Sequence, residues 1–411
     1  MKTDWIRLRL LAIAGGLSWL GSSLTTFTVV LRYKDEVGPS GVSAILLAMV
    51  VPTILAAPYG GLLADRLSTR VLVPSLLSVM GLSSVAIAFN PGFGWALVFL
   101  AITAACGTPV GAAFSAALPE YSAPEDLARV NSLMQIGASL GSMFGPGLAG
   151  VLIKSTHSYF WPFIIDGLSF WTLAVAILLL GINRKPHPHE AGEKSSMLAG
   201  VKVIATIPLV RALVIMFAGL IAAISVMNVG EVFLVMNVLG ADEFIYGIVS
   251  ATFAIGIVLG STLISALKLP EKRHAPLIVM SLAAISAFTL IIAFAWHWVV
   301  VAVVWFFAGM ANSVLNSYGS ALVLNRTPEK VRGRVMASVQ AIFSVANVAS
   351  MTMGGALIGW FTVRPVLAGA GILSAVSLLL SAPAVLRSSR EATSRSAEAE
   401  LLGDEVAGVA D

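Results

Sequence analysis

Gly60-Gly61-Leu62-Leu63-Ala64-Asp65-Arg66-Leu67-Ser68-Thr69-Arg70 closes one long apolar run and leads into the next. An acid and two spaced bases sit on a connection of only a few residues, directly after a glycine-bearing helix end. Apolar stretches that meet at so short a charged turn have the form of two membrane crossings joined at the surface.

The composition agrees. The chain has 411 residues, of which 58% are hydrophobic and 11% charged. A soluble domain carries about 25% charged residues. Most of this chain must therefore face lipid or other apolar helices. A cytosolic enzyme, a secreted disulfide scaffold and a nucleic-acid binder are excluded as first readings. The single cysteine, Cys106, excludes an intramolecular disulfide. Met1 to Arg9 is short and basic, and the apolar run after it continues without a small-residue cleavage site. It reads as a first membrane span and not as a cleaved leader.

A helix needs about 20 apolar residues to cross the hydrocarbon core. Twelve such runs occur, at 8–31, 41–63, 71–89, 94–117, 129–153, 159–182, 208–235, 244–267, 275–294, 297–321, 333–359 and 364–386. Lys and Arg set the orientation. With the N-terminus inside, 20 of the 25 Lys and Arg fall on the inner side and 4 on the outer, and Arg211 starts the seventh span. A miscount in the middle would destroy that split. The expectation is twelve spans with both termini cytoplasmic.

The chain divides into a first six-span bundle (1–183), a cytoplasmic linker with a short interfacial helix from Ser195 (184–206), a second six-span bundle (207–386) and a disordered tail (387–411). The halves resemble each other. Pro124-Glu125-Asp126-Leu127-Ala128-Arg129-Val130 matches Pro328-Glu329-Lys330-Val331-Arg332-Gly333-Arg334-Val335 with one residue inserted. Two parallel repeats with a site between them at mid-membrane is a transporter architecture.

The opening stretch resembles the G-x-L-A-D-R-x-G-R-[RK] motif of the major facilitator superfamily, with Ser68 in place of its Gly and Thr69 in place of its base. Pro58-Tyr59-Gly60-Gly61, Ala117-Leu118-Pro119-Glu120, Ile165-Asp166-Gly167-Leu168-Ser169-Phe170 and Arg332-Gly333-Arg334-Val335 are similar to the branch that contains enterobactin exporters and macrolide-efflux proteins. The resemblance implies an all-α membrane fold, twelve transmembrane helices in two pseudo-symmetric six-helix bundles. It also implies that spans one, four, seven and ten line the cavity. Gly61, Asp65, Arg66 and Arg70, with Arg332 and Arg334 at the start of span eleven, would form a cytoplasmic latch. Gly141, Gly145, Pro146 and Gly150 resemble the G-x-x-x-G-P-x-x-G-G pattern of antiporters, with helix packing as the compatible plainer reading.

No G-x-x-x-x-G-K-[ST] loop and no His/Cys cluster of metal-ligand spacing occurs, so neither an ATPase engine nor a metal or other cofactor is expected. No nucleophile-and-base set assembles from a local motif, which argues against an enzyme. Transport energy would come from a gradient, most simply protons. Only two acids sit clearly inside spans, Asp166 and Glu231. Intramembrane acids are costly and functional by default. Both are proton-coupling candidates; for Asp166 a structural hydrogen bond is the competing reading. Ser18, Ser22, Thr26, Asn228, Asn312, Asn316 and Tyr318 are candidate cavity residues, several at intervals of four that share a helix face.

The sequence therefore points to a secondary active transporter, a proton-coupled antiporter exporting an amphipathic small molecule such as a drug, siderophore or metabolite. Its partners would be the substrate, protons and the lipid bilayer, with no nucleic acid. It would sit in a bacterial cytoplasmic membrane and work as a monomer. A solute importer of the same fold and a non-transporting receptor or scaffold are the alternatives.

Overall fold

The computed structural model describes residues 3–90, 92–184, 206, 208–267, 273–326 and 332–408. Among them there is no strand; the chain is built of long helices. Trp5–Arg66 is drawn as one helix of 62 residues, broken at Gly38, where φ is 63° and ψ is −168°. At 1.5 Å per residue an unbroken helix of that length would run about 93 Å, three times the hydrocarbon core. It therefore holds spans one and two, residues 5–37 and 39–66. The expected loop between them is absent; helix continues through Asp35 and Glu36 to the break. Only glycine takes this backbone shape at little cost.

The other spans follow: three, Thr69–Ala88; four, Phe93–Ala117; five, Leu127–Thr156; six, Phe160–Leu179; seven, Pro208–Val232; eight, Glu243–Leu267; nine, His274–Ala293; ten, Trp298–Arg326; eleven, Arg332–Phe361; twelve, Val363–Gly408. Among the described residues eleven helices are long and apolar enough to cross a membrane, and the break at Gly38 makes twelve crossings. The helix of span twelve runs on to Gly408, past Arg387, where a structureless tail was expected. Residues 391–408 are rich in Ala, Glu and Leu, which favour helix. The interfacial helix expected from Ser195 lies outside the described residues.

The packing repeats six helices on. Span three packs on span six through Gly81 and Gly167, and span nine on span twelve through the Ser286–Ser374 hydroxyl pair at 2.8 Å. Span one meets span five at Gly16 and Gly137, as span seven meets span eleven at Val226 and Gly354. Span two meets span four at Gly60 and Thr108, as span eight meets span ten at Gly256 and Phe306. Small residues at these crossings let backbones approach closely where lipid supplies no hydrophobic drive.

The core is not shared evenly between the two ends. At the end that carries Asp35, one continuous apolar cluster runs through both bundles and includes Leu24, Val42, Ile45, Phe163, Val232 and Val249. At the end that carries Asp65, each bundle has its own separate cluster, around Leu77 and Phe170 in the first and around Leu213 and Leu315 in the second. The bundles are joined at the Asp35 end and keep separate cores at the other.

Candidate functional site

Several contacts join the bundles among the described residues. Span two meets span eleven where Ser43 Oγ donates to Met351 O at 2.7 Å. Span five meets span eight at two bare backbones: a Cβ on Gly150 would strike Glu243 O, and one on Gly247 would strike Pro146 O. Beside them, Lys154 Nζ lies 2.8 Å from Asp242 Oδ2. Deeper in, Phe27 of span one stacks on Tyr246 of span eight, with centroids 4.8 Å apart.

Under this closure lies a cavity of about 470 Å³. Its wall draws on both bundles: Ser22, Thr26 and Trp19 from span one, Met49 from span two, Ser142 from span five, and Asn228 and Glu231 from span seven. Glu231 is 6% exposed. Ser250 Oγ of span eight donates to its Oε1 at 3.1 Å, and Tyr246 and Trp305 flank it. Its carboxyl thus sits in the wall of the inter-bundle cavity with the Ser250 hydroxyl and the Trp305 indole N–H as its donors. Thr26 Oγ1 is turned back to Ser22 O at 2.8 Å.

A second chamber of about 550 Å³ shares Trp19, Ser22 and Met49 with the first and extends into the first bundle. Ser18 lines it, as does Asp166. Asp166 is 1% exposed. Its Oδ2 accepts from Thr25 Oγ1 at 2.7 Å and Ser84 Oγ at 2.8 Å, which ties span six to spans one and three. Its Oδ1 has no partner among the described residues.

Asn312 and Asn316 lie elsewhere, in a pocket of the second bundle that shares no residue with the Glu231 cavity. Tyr318 faces away from it: it is buried and stacks on His274, with centroids 4.2 Å apart. Two positions along a helix turn a side chain by about 200°, so Tyr318 cannot share a face with Asn316.

At the Asp65 end, Asp65 Oδ1 pairs with Arg184 Nη1 at 3.2 Å, directly after the first bundle. Arg184 also reaches toward Glu120, Nε to Oε1 4.0 Å. Arg66 and Arg70 are exposed, and Gly61 opens onto free space. The side chains of Arg332 and Arg334 lie outside the described residues. Along span five, Gly141 abuts span one at Gly16 O, Gly145 abuts Ser23, and Pro146 and Gly150 abut span eight. Sequence reasoning missed Arg184, Ser250 and the Lys154–Asp242 pair; each partner lies on another helix, where spacing is silent. Gln340, one of two amides in apolar span eleven with Asn347, was a signal left unread.

A family model described as Major Facilitator Superfamily matches residues 11–233 and again 215–407. The chain is similar to the uncharacterized MFS-type transporter YfiS of Bacillus subtilis (strain 168), 23% identical over 377 residues, 84% of this chain and 85% of the relative. It is 25% identical over 312 residues to the enterobactin exporter EntS of Escherichia coli O1:K1 / APEC, covering 73% of this chain and 71% of that one. Among solved structures, the nucleoside transporter NupG superposes with a TM-score of 0.74 at 13% identity, covering 92% and 98% of the two chains. A bacterial homolog to the human lysosomal transporter Spinster, in an inward-facing and unoccupied conformation, gives 0.68 at 14%, covering 94% and 96%.

Proposed function

Because the chain belongs to the Major Facilitator Superfamily and is a multi-pass membrane transporter, we propose that it is a proton-coupled antiporter. In this reading it exports an amphipathic small molecule by rocking residues 1–183 against 207–386. The observation that carries the reading is Glu231: a carboxyl 6% exposed, in the wall of a cavity sealed at the Asp35 end. An ionised carboxylate is expensive in such a place. A proton taken up there is held while the cavity faces one way and given up when water reaches it from the other.

The Asp35 end is the outer face in this orientation, and the Asp65 end is cytoplasmic. The state described is then inward-facing. Export is favoured by the likeness to EntS, whose printed name is that of an exporter. The wall supports an amphipathic cargo: hydroxyls of Ser22, Thr26 and Ser142 and the amide of Asn228 alternate with Trp19, Phe27 and Met49.

A thermal-shift screen of the purified protein at two pH values identifies a substrate class. Proteoliposomes with an imposed pH gradient then test coupling. Glu231→Gln should abolish uphill export and leave part of the downhill exchange. Uphill export undiminished in Glu231→Gln removes the coupling role.

A further inference from the structure

The second bundle holds a pocket of about 200 Å³ between spans seven, ten and eleven, in their Asp65-side halves. Its volume is below the roughly 300–1,000 Å³ of sites that enclose a drug-sized ligand. It fits one ring and its substituent. Its wall is apolar except for three amides: Asn312, Asn316 and Gln340. Phe217 and Phe343, with centroids 6.0 Å apart, form an aromatic face opposite them.

Asn316 Nδ2 donates to Asn312 Oδ1 at 2.8 Å and to Asn312 O at 3.0 Å. That arrangement leaves Asn312 Nδ2 as a donor and Asn316 Oδ1 as an acceptor, with no partner for either among the described residues. The backbone bond to Asn312 O fixes this orientation, since turning the Asn316 amide over would set two oxygens against each other. The surplus is the complement of a carboxamide or lactam edge. No lining residue carries a charge, so a carboxylate or ammonium placed there would find no ionic partner.

Resting on the transporter reading above, we propose that this pocket is a second binding subsite, distinct from the Glu231 cavity. It takes a neutral aromatic carboxamide or lactam group, with the ring on Phe217 and Phe343 and the amide edge on Asn312 and Asn316. A cargo carrying such a group is held here by one end on its way between the bundles.

The test is photolabelling of the full-length purified protein with 4-azidobenzamide, with mapping of labelled peptides by mass spectrometry. Label should fall on spans seven, ten or eleven around Phe217, Asn316 or Phe343. Benzamide should compete and benzoate should not. Asn312→Leu/Asn316→Leu, which keeps the side-chain shape, should cut labelling about three- to tenfold, the size of one net hydrogen bond. Gln340→Leu gives an independent reading should the double variant lose its thermal transition; it should lower labelling by a smaller factor. Label on spans one, two or five, equal competition by benzoate, or unchanged labelling in well-folded variants overturns the proposal. The assay needs no transport, so labelling as expected without flux in proteoliposomes would sink the antiporter reading and leave the subsite standing.

Discussion

Lys154 and Asp242 form an ion pair, Nζ to Oδ2 2.8 Å, that ties span five of the first bundle to the start of span eight in the second. The Lys154 ammonium, with the Ile245 backbone N–H, holds the Asp242 carboxyl below its ordinary value. A carboxyl with a depressed pKa stabilises the joined state above its free value, near 4, and loses that contribution as pH falls through the depressed one. Closure of the Asp35 end should therefore be insensitive to this pair between pH 6 and 8 and weaken only in stronger acid. Both side chains are partly exposed, so the pair contributes about 0.2–1 kcal/mol. Asp242→Asn should shift the closed population by roughly fivefold or less, read by single-molecule FRET across spans five and eight, with the effect fading in high salt.

Gly150 and Gly141 separate two meanings of one motif. A side chain at Gly150 would strike Glu243 O and Phe244 Cα of the other bundle. Gly150→Val should disfavour closure of the Asp35 end by roughly 1–3 kcal/mol without harming the first bundle. Gly141→Val should instead force span five off span one, where Gly16 O and Leu20 N already touch. It should lower the thermal midpoint. Equal stability loss in both variants would remove the distinction.

The Asp65 halves of spans five and eight carry facing apolar stripes with no partner in this state. Ile136 is 56% exposed and Leu259 is 49% exposed. Continuing the antiparallel pairing of Gly150 with Glu243 and Pro146 with Gly247 brings Ile136 level with residues 257–258, within about 3 Å of helix rise of Leu259. Ile136→Cys/Leu259→Cys should form a cross-link under oxidation only in the state in which the Asp65 end closes, and the link should arrest transport. Conditions that favour the opposite state should slow its formation.

Asp166 should act as a structural anchor. Asp166→Ala takes the shared acceptor from the buried Thr25 and Ser84 hydroxyls, leaves Ser84 only Phe163 O at 3.1 Å, and should cost about 1–3 kcal/mol of stability. Asp166→Asn keeps an acceptor for both and should retain stability and export. Loss of uphill export in a stable Asp166→Asn protein would reassign it as a proton carrier.

Asp65→Asn removes the pairing with Arg184 and, in the rocking mechanism, the contact that closes the Asp65 end. Labelling of a cysteine placed at Ile136 should rise in the variant. Unchanged labelling would dispose of the latch.

Twelve crossings could be read from run length because the bilayer imposes a minimum on every span. The break at Gly38 falls inside the connection expected between 31 and 41, at a Gly-Pro pair that marks turns; run length could not show that helix continues through Asp35 and Glu36 up to it. Glu231 stood out because an acid in an apolar run is rare for a physical reason. One donor, Ser250, sits on the next helix and has no sequence mark. Intervals of four placed Asn312 beside Asn316 correctly, since that is helix geometry. Which cavity the pair would face depends on how three helices lean together. Asp65 shows the same limit: its partner, Arg184, is 119 residues away.

Gly38 leaves the first two crossings without a slack connector. The pair is a single bent crank, and a force applied at Ser43 against Met351 reaches Trp19 and Ser22 through continuous backbone. An epitope or flexible insert placed between Asp35 and Pro39 would act as a clutch: each arm would stay folded, while motion at the mouth no longer turned the chamber wall.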